Sequence, residues 1–342
     1  MQLSTDLPSQ SPIEQDLGFD TEDIDPAHRV EAYRSLYAAG GDVEILGPRF
    51  RAAMRVRRCG GLMLYHRVLS DVAHRRDAER VRQCGFDHFT AQLNVRGLLQ
   101  VQADGLRRIV APGEILFLDM TRPFRHVVDG EIVTVSIPRA FIAERCAQPT
   151  SLHGAVAAAF HAAPLVQWMT RFWSSADGNE ASDIEGLMSA LDTALRGAAA
   201  RPIHQRREQD AIRRDRIRGV IERDLGDPDL TPERVAAEVC LSRATLYRMF
   251  QDLGTPSSWR QARRLWRFRQ VLASGPHSIG DAAEAAGITD PSYASALFSR
   301  ALGMTPSGYR REVERVLHDS DRPGALRWIM KNVPVLLSTD VH

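Results

Sequence analysis

Between residues 50 and 137, apolar and polar positions alternate in short stretches: Met54/Val56, Leu62/Leu64, Phe89/Ala91/Leu93/Val95 and Val133/Val135/Ile137. Turn-forming pairs separate them, among them Gly60-Gly61, Arg96-Gly97, Asp104-Gly105, Pro112-Gly113 and Asp129-Gly130. A period of two sends successive side chains to opposite faces of a strand, so this pattern predicts an antiparallel barrel or double-sheet roll. Upstream, residues 1–25 are polar and acidic without apolar periodicity, which predicts a flexible arm. Val30, Tyr33 and Leu36-Tyr37 then predict a short helix over 26–39. After about residue 152 the period becomes helical. One helix is expected over 153–174, broken near Pro164, and a cleaner one over 183–199 with Ile184, Leu187, Met188, Leu191 and Leu195 along one stripe. That stripe fits either packing on the barrel or a dimer contact.

The last third carries one short pattern twice. The first copy is Val235-Ala236, Ser242, Leu246, Arg248, Phe250 and Gly254; the second is Ala282-Ala283, Asp290, Ala294, Ala296, Phe298 and Gly303. Thr231-Pro232-Glu233 and Asp290-Pro291 supply a cap and a first-turn proline to two of the expected helices. Two copies are too few for a solenoid, and tandem helix-turn-helix units fit better. An opening helix is expected over 209–225, after an Arg/Gln-rich linker at 200–208. The expected fold class is therefore α+β with two domains. The divisions are an arm (1–25), a barrel with flanking helices (26–152), a helical packing or dimerisation region (153–199), a linker (200–208), an all-α domain (209–316) and a tail (317–342) that is helical over Ala325 to Met330.

Charge sharpens this division. The chain of 342 residues is nearly neutral at +1, but residues 1–40 hold 2 basic and 8 acidic groups and residues 201–320 hold 20 basic and 16 acidic ones. A mildly basic C-terminal third suits nucleic acid as its partner. Cys59, Cys84, Cys146 and Cys240 show no zinc-like or disulfide-framework spacing. No signal-peptide core and no apolar run of membrane length stands out, so a cytoplasmic protein without membrane partners is expected.

Residues 212–312 resemble the AraC/XylS family of bacterial transcription regulators. The resemblance rests on Val235-Ala236, the run from Leu241 to Phe250, Arg264-Leu265, Ile279, Ala283, Gly287, Asp290, Ser292-Tyr293 and Phe298, and above all on the string Gly303-Met304-Thr305-Pro306-Ser307-Gly308-Tyr309-Arg310. It implies a cytoplasmic regulator, more an activator than a repressor, that binds double-stranded promoter DNA and works with RNA polymerase. Leu246 and Phe250, four residues apart, should face the core and turn Arg243, Ala244, Tyr247 and Arg248 towards a major groove. The resemblance makes Arg248 the reader of guanine and Thr245 a phosphate contact, and in the second unit it assigns Pro291, Ser292, Tyr293, Ser295 and Arg300 to DNA. That unit departs from the family pattern with Ala294 and Ala296, so it should position the protein more than read bases. Trp259, Ala262, Leu265 and Leu272 should form the core face of a connecting helix.

The segment from Val110 to Asp119, followed by Thr121-Arg122-Pro123-Phe124, resembles the cupin-like effector-binding barrel of the same family. This implies a small organic effector, with Tyr65, His88, Gln92, Phe117 and His126 as pocket candidates. Alternation puts Phe89, Ala91, Leu93 and Val95 on one face and His88, Thr90, Gln92 and Asn94 on the other, without deciding which face lines the interior. A metal enzyme would need converging histidines, usually including a His-x-His pair, and the chain has none. Neither a catalytic residue nor a cofactor is expected. The alternatives are a regulator controlled by a protein partner or by nothing, and a degenerate barrel enzyme fused to a DNA-binding domain. A homodimer is a further expectation.

Overall fold

A computed structural model describes residues 17–59, 61–84, 86–174, 184–199, 205–227, 229–250, 254–275, 277–318 and 324–336. The chain divides into two compact units. One spans Arg213–Ala325; the other spans Glu14–Ile212 and takes in the chain beyond Leu326.

The larger unit is built on strands β1 (Leu17–Asp20), β2 (Asp42–Ile45), β3 (Arg51–Cys59), β4 (Leu62–Arg76), β5 (His88–Ala103), β6 (Leu106–Val110), β7 (Ile115–Asp119), β8 (Phe124–Pro138) and β9 (Val156–Ala157). They form one sheet in the order β1-β3-β4-β8-β5-β7-β9, with β2 added to β4 and β6 to β5; every pairing is antiparallel. Helices α1 (Arg29–Tyr37), α2 (Ala78–Cys84), α3 (Arg139–Arg145), α4 (Ala159–Ser174) and α5 (Ile184–Ala199) complete the N-terminal part. Residues 17–20, expected in a flexible arm, instead pair with β3 from Leu17↔Val56 to Asp20↔Ala53. Residues 1–16 lie outside the described residues.

Two bulges shape the sheet. Between Leu69 and Val72 strand β4 advances one residue more than its partner β8, and between Asn94 and Arg96 strand β5 does the same. Each extra residue reverses which face the following side chains point to. Asp71 adopts a left-handed φ of 52° at the first bulge, and Val95 is 39% exposed at the second. Val95 therefore leaves the face that alternation shared among Phe89, Ala91 and Leu93.

Those three remain in a core with Phe117, Val135 and Ile137, covered by α4 and α5. Trp168 and Phe172 stack at 5.0 Å between ring centroids, and the α5 positions Leu187, Leu191 and Leu195 are buried against the same core. Within the α5 stripe, Leu187, Leu191 and Leu195 pack on this core, with Ile184 and Met188 partly buried beside them. Helix α4 is not broken at Pro164, which lies inside it; the carbonyl of Phe160 simply lacks its usual donor.

The smaller unit holds the end of α6 (Gln205–Arg223), then α7 (Pro232–Glu238), α8 (Arg243–Met249), α9 (Pro256–Ala273), α10 (Ile279–Ala285), α11 (Pro291–Leu302) and α12 (Pro306–His318). Helix α6 already begins at Gln205, inside the stretch expected as linker. Helix α9 serves both repeats. Near its start Trp259 meets Phe250 edge-on at 5.9 Å, and near its end Phe268 meets Phe298 edge-on at 5.5 Å. Its core face departs from expectation: Ala262 and Leu265 are only half-buried, while Arg263 and Arg269 are buried. Each of these arginines has a partner, Glu222 at 2.5 Å for Arg263 and the Tyr309 hydroxyl at 3.1 Å for Arg269. Charge pairing lets guanidinium groups occupy a helix–helix seam that periodicity assigns to apolar side chains.

A last helix, α13 (Ala325–Leu336), extends the expected tail helix by two turns and belongs with the sheet-bearing unit from Leu326 onward. Ile329 and Asn332 are buried.

Candidate nucleic-acid interface and ligand cavity

The two repeats fold alike at their turns. In the first, Leu241 N–H donates to the Ala236 carbonyl at 2.8 Å; in the second, Ile288 N–H donates to Ala283 at 2.8 Å. Both are helix C-terminal bonds that need a left-handed residue just before the donor. Cys240 (φ 56°) and Gly287 (φ 70°) fill that place. The following helices are capped by Ser242, which accepts from Thr245 N–H at 3.2 Å, and by Asp290, which accepts from Ser292 and Tyr293 N–H at 2.8 and 3.2 Å. Leu246 and Phe250 are buried, as are Ala294 and Phe298 in the second copy.

Burying Leu246 and Phe250 leaves Arg243, Ala244 and Arg248 exposed on α8, with Thr245 and Tyr247 half-buried beside them. Arg243 pairs with Glu233 at 3.1 Å and lies over the Tyr247 ring. Thr245 Oγ1 is 2.9 Å from Ser242 Oγ. Arg248 has no ion-pair or hydrogen-bond partner among the described residues. On α11, Pro291, Ser292, Tyr293 and Arg300 are exposed, Ser295 donates to the Pro291 carbonyl at 2.9 Å, and Tyr293 Oη accepts from Gln261 at 2.8 Å. Ala296, at the place that matches Arg248, is exposed and has no hydrogen-bonding group to offer a base edge. Other arginines here serve the fold: Arg264 donates to the Leu225 carbonyl at 2.8 Å, and Arg310 donates to the His277 carbonyl.

In the sheet-bearing unit, strands β4, β5 and β8 line a cavity of about 100 Å³. Tyr65, His88, Gln92 and His126 line it together; Phe117 does not, because it sits on the opposite face of the sheet in the helix-covered core. Cross-strand register explains the grouping. Tyr65 lies opposite Thr134, and Thr134 opposite Gln92; His74 lies opposite His126. Burial holds the His126 imidazole neutral, lowering its pKa to about 3 with help from Arg67, and lowers His88 to about 3 with help from Arg76. His74 is likewise driven well below the ordinary range by burial and then by His126. Sequence reasoning missed Arg67, His74, Thr134 and Ser136. Arg67 shares the face of Tyr65 two residues away, a signal that was present; His74 reaches that face only because of the bulge before it.

Comparison with known proteins fits both halves. The family described as the AraC-binding-like domain matches residues 36–198, and the Helix-turn-helix domain family matches residues 235–312. The chain belongs to the AraC family of transcription regulators. Among its relatives, the transcriptional activator NphR of Rhodococcus sp is 29% identical over 64% of this chain and 69% of its own length. The arabinose operon regulatory protein of Escherichia coli is 31% identical over 28% of this chain and 33% of its own. The solved structure of the AraC-like transcriptional activator CuxR shares the fold, with a TM-score of 0.51 at 22% identity, covering 79% of this chain and all of that one. As an AraC-family member the protein is a DNA-binding regulator. No helix among the described residues is long and apolar enough to cross a membrane, and none of their acidic, His and Cys side chains group to hold a metal ion.

Proposed function

We propose that this regulator is a transcriptional activator, that α8 reads the bases of its operator, and that a small ligand in the β4/β5/β8 cavity controls it. The observation that carries the α8 assignment is the contrast between Arg248, exposed without a described partner, and Ala296 at the matching place on α11. An unpaired guanidinium on a capped helix can form the bidentate contact to guanine that a methyl group cannot. Tyr293, Ser292 and Arg300 then serve to hold α11 on the phosphate backbone. The activator reading draws support from the likeness to NphR, and activation brings the protein to RNA polymerase at a promoter in the cytoplasm.

Operator binding measured across a salt series tests the assignment. Arg248→Ala should cost about 1–3 kcal/mol and relax preference at one base position, whereas Arg300→Ala should weaken binding to all sequences and lower the salt slope by about 1. The reverse pattern would place base reading in the second unit. For the ligand reading, the cavity's buried polar lining is the support; promoter transcription indifferent to every compound that stabilises the purified protein argues for a regulator controlled in another way.

A further inference from the structure

The cavity contains a buried cation with no anion. Arg67 is only 6% exposed, and its side chain lines the cavity. Its Nη1 donates to Tyr37 Oη at 3.2 Å and its Nη2 to Thr134 Oγ1 at 2.5 Å, while Nε is buried without a partner. No carboxylate pairs with it among the described residues. The other lining arginine on this strand that pairs with acids, Arg75, has Asp42, Glu44 and Asp77 within 4 Å. The cavity wall itself includes Arg67, Arg75 and Arg76 but no aspartate or glutamate. Burying a guanidinium against neutral hydroxyls alone is costly, and the cost is recovered when an anion joins it.

A second orphan points the same way: the Nδ1 of His88, itself 98% buried, lines the cavity and has no partner. Thr90, Gln92, Thr134 and Ser136 add neutral donors on the adjoining rows of β5 and β8. Leu36, Phe86, Phe124 and Met330 add apolar lining. The space of about 100 Å³ is smaller than the cavity of about 150 Å³ that suffices for benzene, so the bound body is a short chain.

We propose that the cavity binds a small organic monocarboxylate, its carboxylate on Arg67 and its apolar body against Phe86, Phe124 and Met330. This rests on the reading of the cavity as a ligand site and adds the charge and size of the ligand.

The test uses the full chain, with propionate and butyrate set against propionamide and butyramide at one pH and ionic strength, read by calorimetry and thermal shift. Each acid should bind at least tenfold more tightly than its amide, and Arg67→Gln should remove that preference while Arg67→Lys keeps part of it. Arg67→Gln without ligand should melt at or above the wild-type temperature, because it deletes an uncompensated charge. Should Arg67→Gln fail to fold, the acid-against-amide comparison in the wild-type chain decides alone. Equal affinity for acid and amide, or no binding of either acid, overturns the proposal. A neutral compound that fills the cavity and alters transcription overturns the carboxylate and leaves ligand control standing. Carboxylate binding that never alters transcription supports the site and removes ligand control.

Discussion

His74 Nδ1 and His126 Nε2 lie 3.0 Å apart, the middle bond of a buried relay. At one end the Gln92 carbonyl oxygen is 3.1 Å from His126 Nδ1; at the other, the Tyr33 hydroxyl is 2.9 Å from His74 Nε2. One set of neutral tautomers satisfies every atom: His126 Nδ1–H donates to Gln92, His74 Nδ1–H donates to His126 Nε2, and Tyr33 donates to His74 Nε2. A proton added to His126 turns its Nε2 acceptor into a donor facing the His74 donor. The relay thus fixes the tautomers, and burial keeps both rings neutral.

A pH dependence follows. In the unfolded chain these histidines titrate near 6.5, whereas in the fold His126 and His88 stand at about 3 and His153, held down by burial and then by Arg122, at about 4. The unfolded state therefore binds the extra protons between those values. Stability should be full above about pH 6.5 and fall as pH drops below it, by up to about 1.4 kcal/mol per pH unit for each histidine. Thermal melts from pH 8 to 5 check this above the carboxylate range; a melting temperature flat to pH 5 would contradict buried neutral histidines.

The turn residues Cys240 and Gly287 should respond oppositely to substitution. A Cβ on Gly287 would lie 2.4 Å from the Gly226 Cα, besides meeting the left-handed φ, so Gly287→Ala should destabilise the DNA-binding unit by about 2–4 kcal/mol. Cys240 is exposed and already bears the left-handed strain, so Cys240→Gly should be neutral or stabilise by up to about 1 kcal/mol. Denaturant unfolding of the two variants gives the comparison.

If the second unit mainly positions the protein, it should be open to gain. Ala296→Arg places a guanidinium on an exposed position of α11. It should tighten operator binding and steepen the salt slope by about 0.9 per added phosphate contact. Unchanged affinity and slope would mean that this face of α11 does not meet DNA.

Asp119 anchors the loop after β7. Fully buried, it accepts from Thr121 N–H at 2.9 Å and Thr121 Oγ1 at 2.6 Å and pairs with Arg139, which also reaches Asp87 at 2.6 Å. Asp119→Ala leaves the Thr121 donors unmet and Arg139 with Asp87 alone, and should cost about 2–4 kcal/mol. Asp87→Ala, which leaves Asp119 in place, should cost less; equal losses would remove Asp119 as the main anchor.

Much of this was legible because its causes are local. Thr231, Ser242 and Asp290 announce helix starts by capping chemistry, and Leu246 and Phe250 announce a core face by spacing. Arg263 and Arg269 were not legible, since their burial depends on Glu222 and Tyr309, about forty residues away. Phe117 looked like a pocket residue by type, yet which side of β7 meets the helices is settled by α4 and α5.

By itself the sequence determined the two-domain division, the doubled helix-turn-helix and the inequality of its copies, because period and caps are local signals and the Arg248/Ala296 difference is one of residue type at matching places. Only the tertiary structure decided where the cavity lies. The bulges at Leu69/Val72 and Asn94/Arg96 reverse the facing of β4 and β5 midway, and strand pairing then brings Arg67, His74, Gln92 and His126 together. A one-residue shift in register is invisible to a pattern of alternation, yet it chooses which side chains face the cavity.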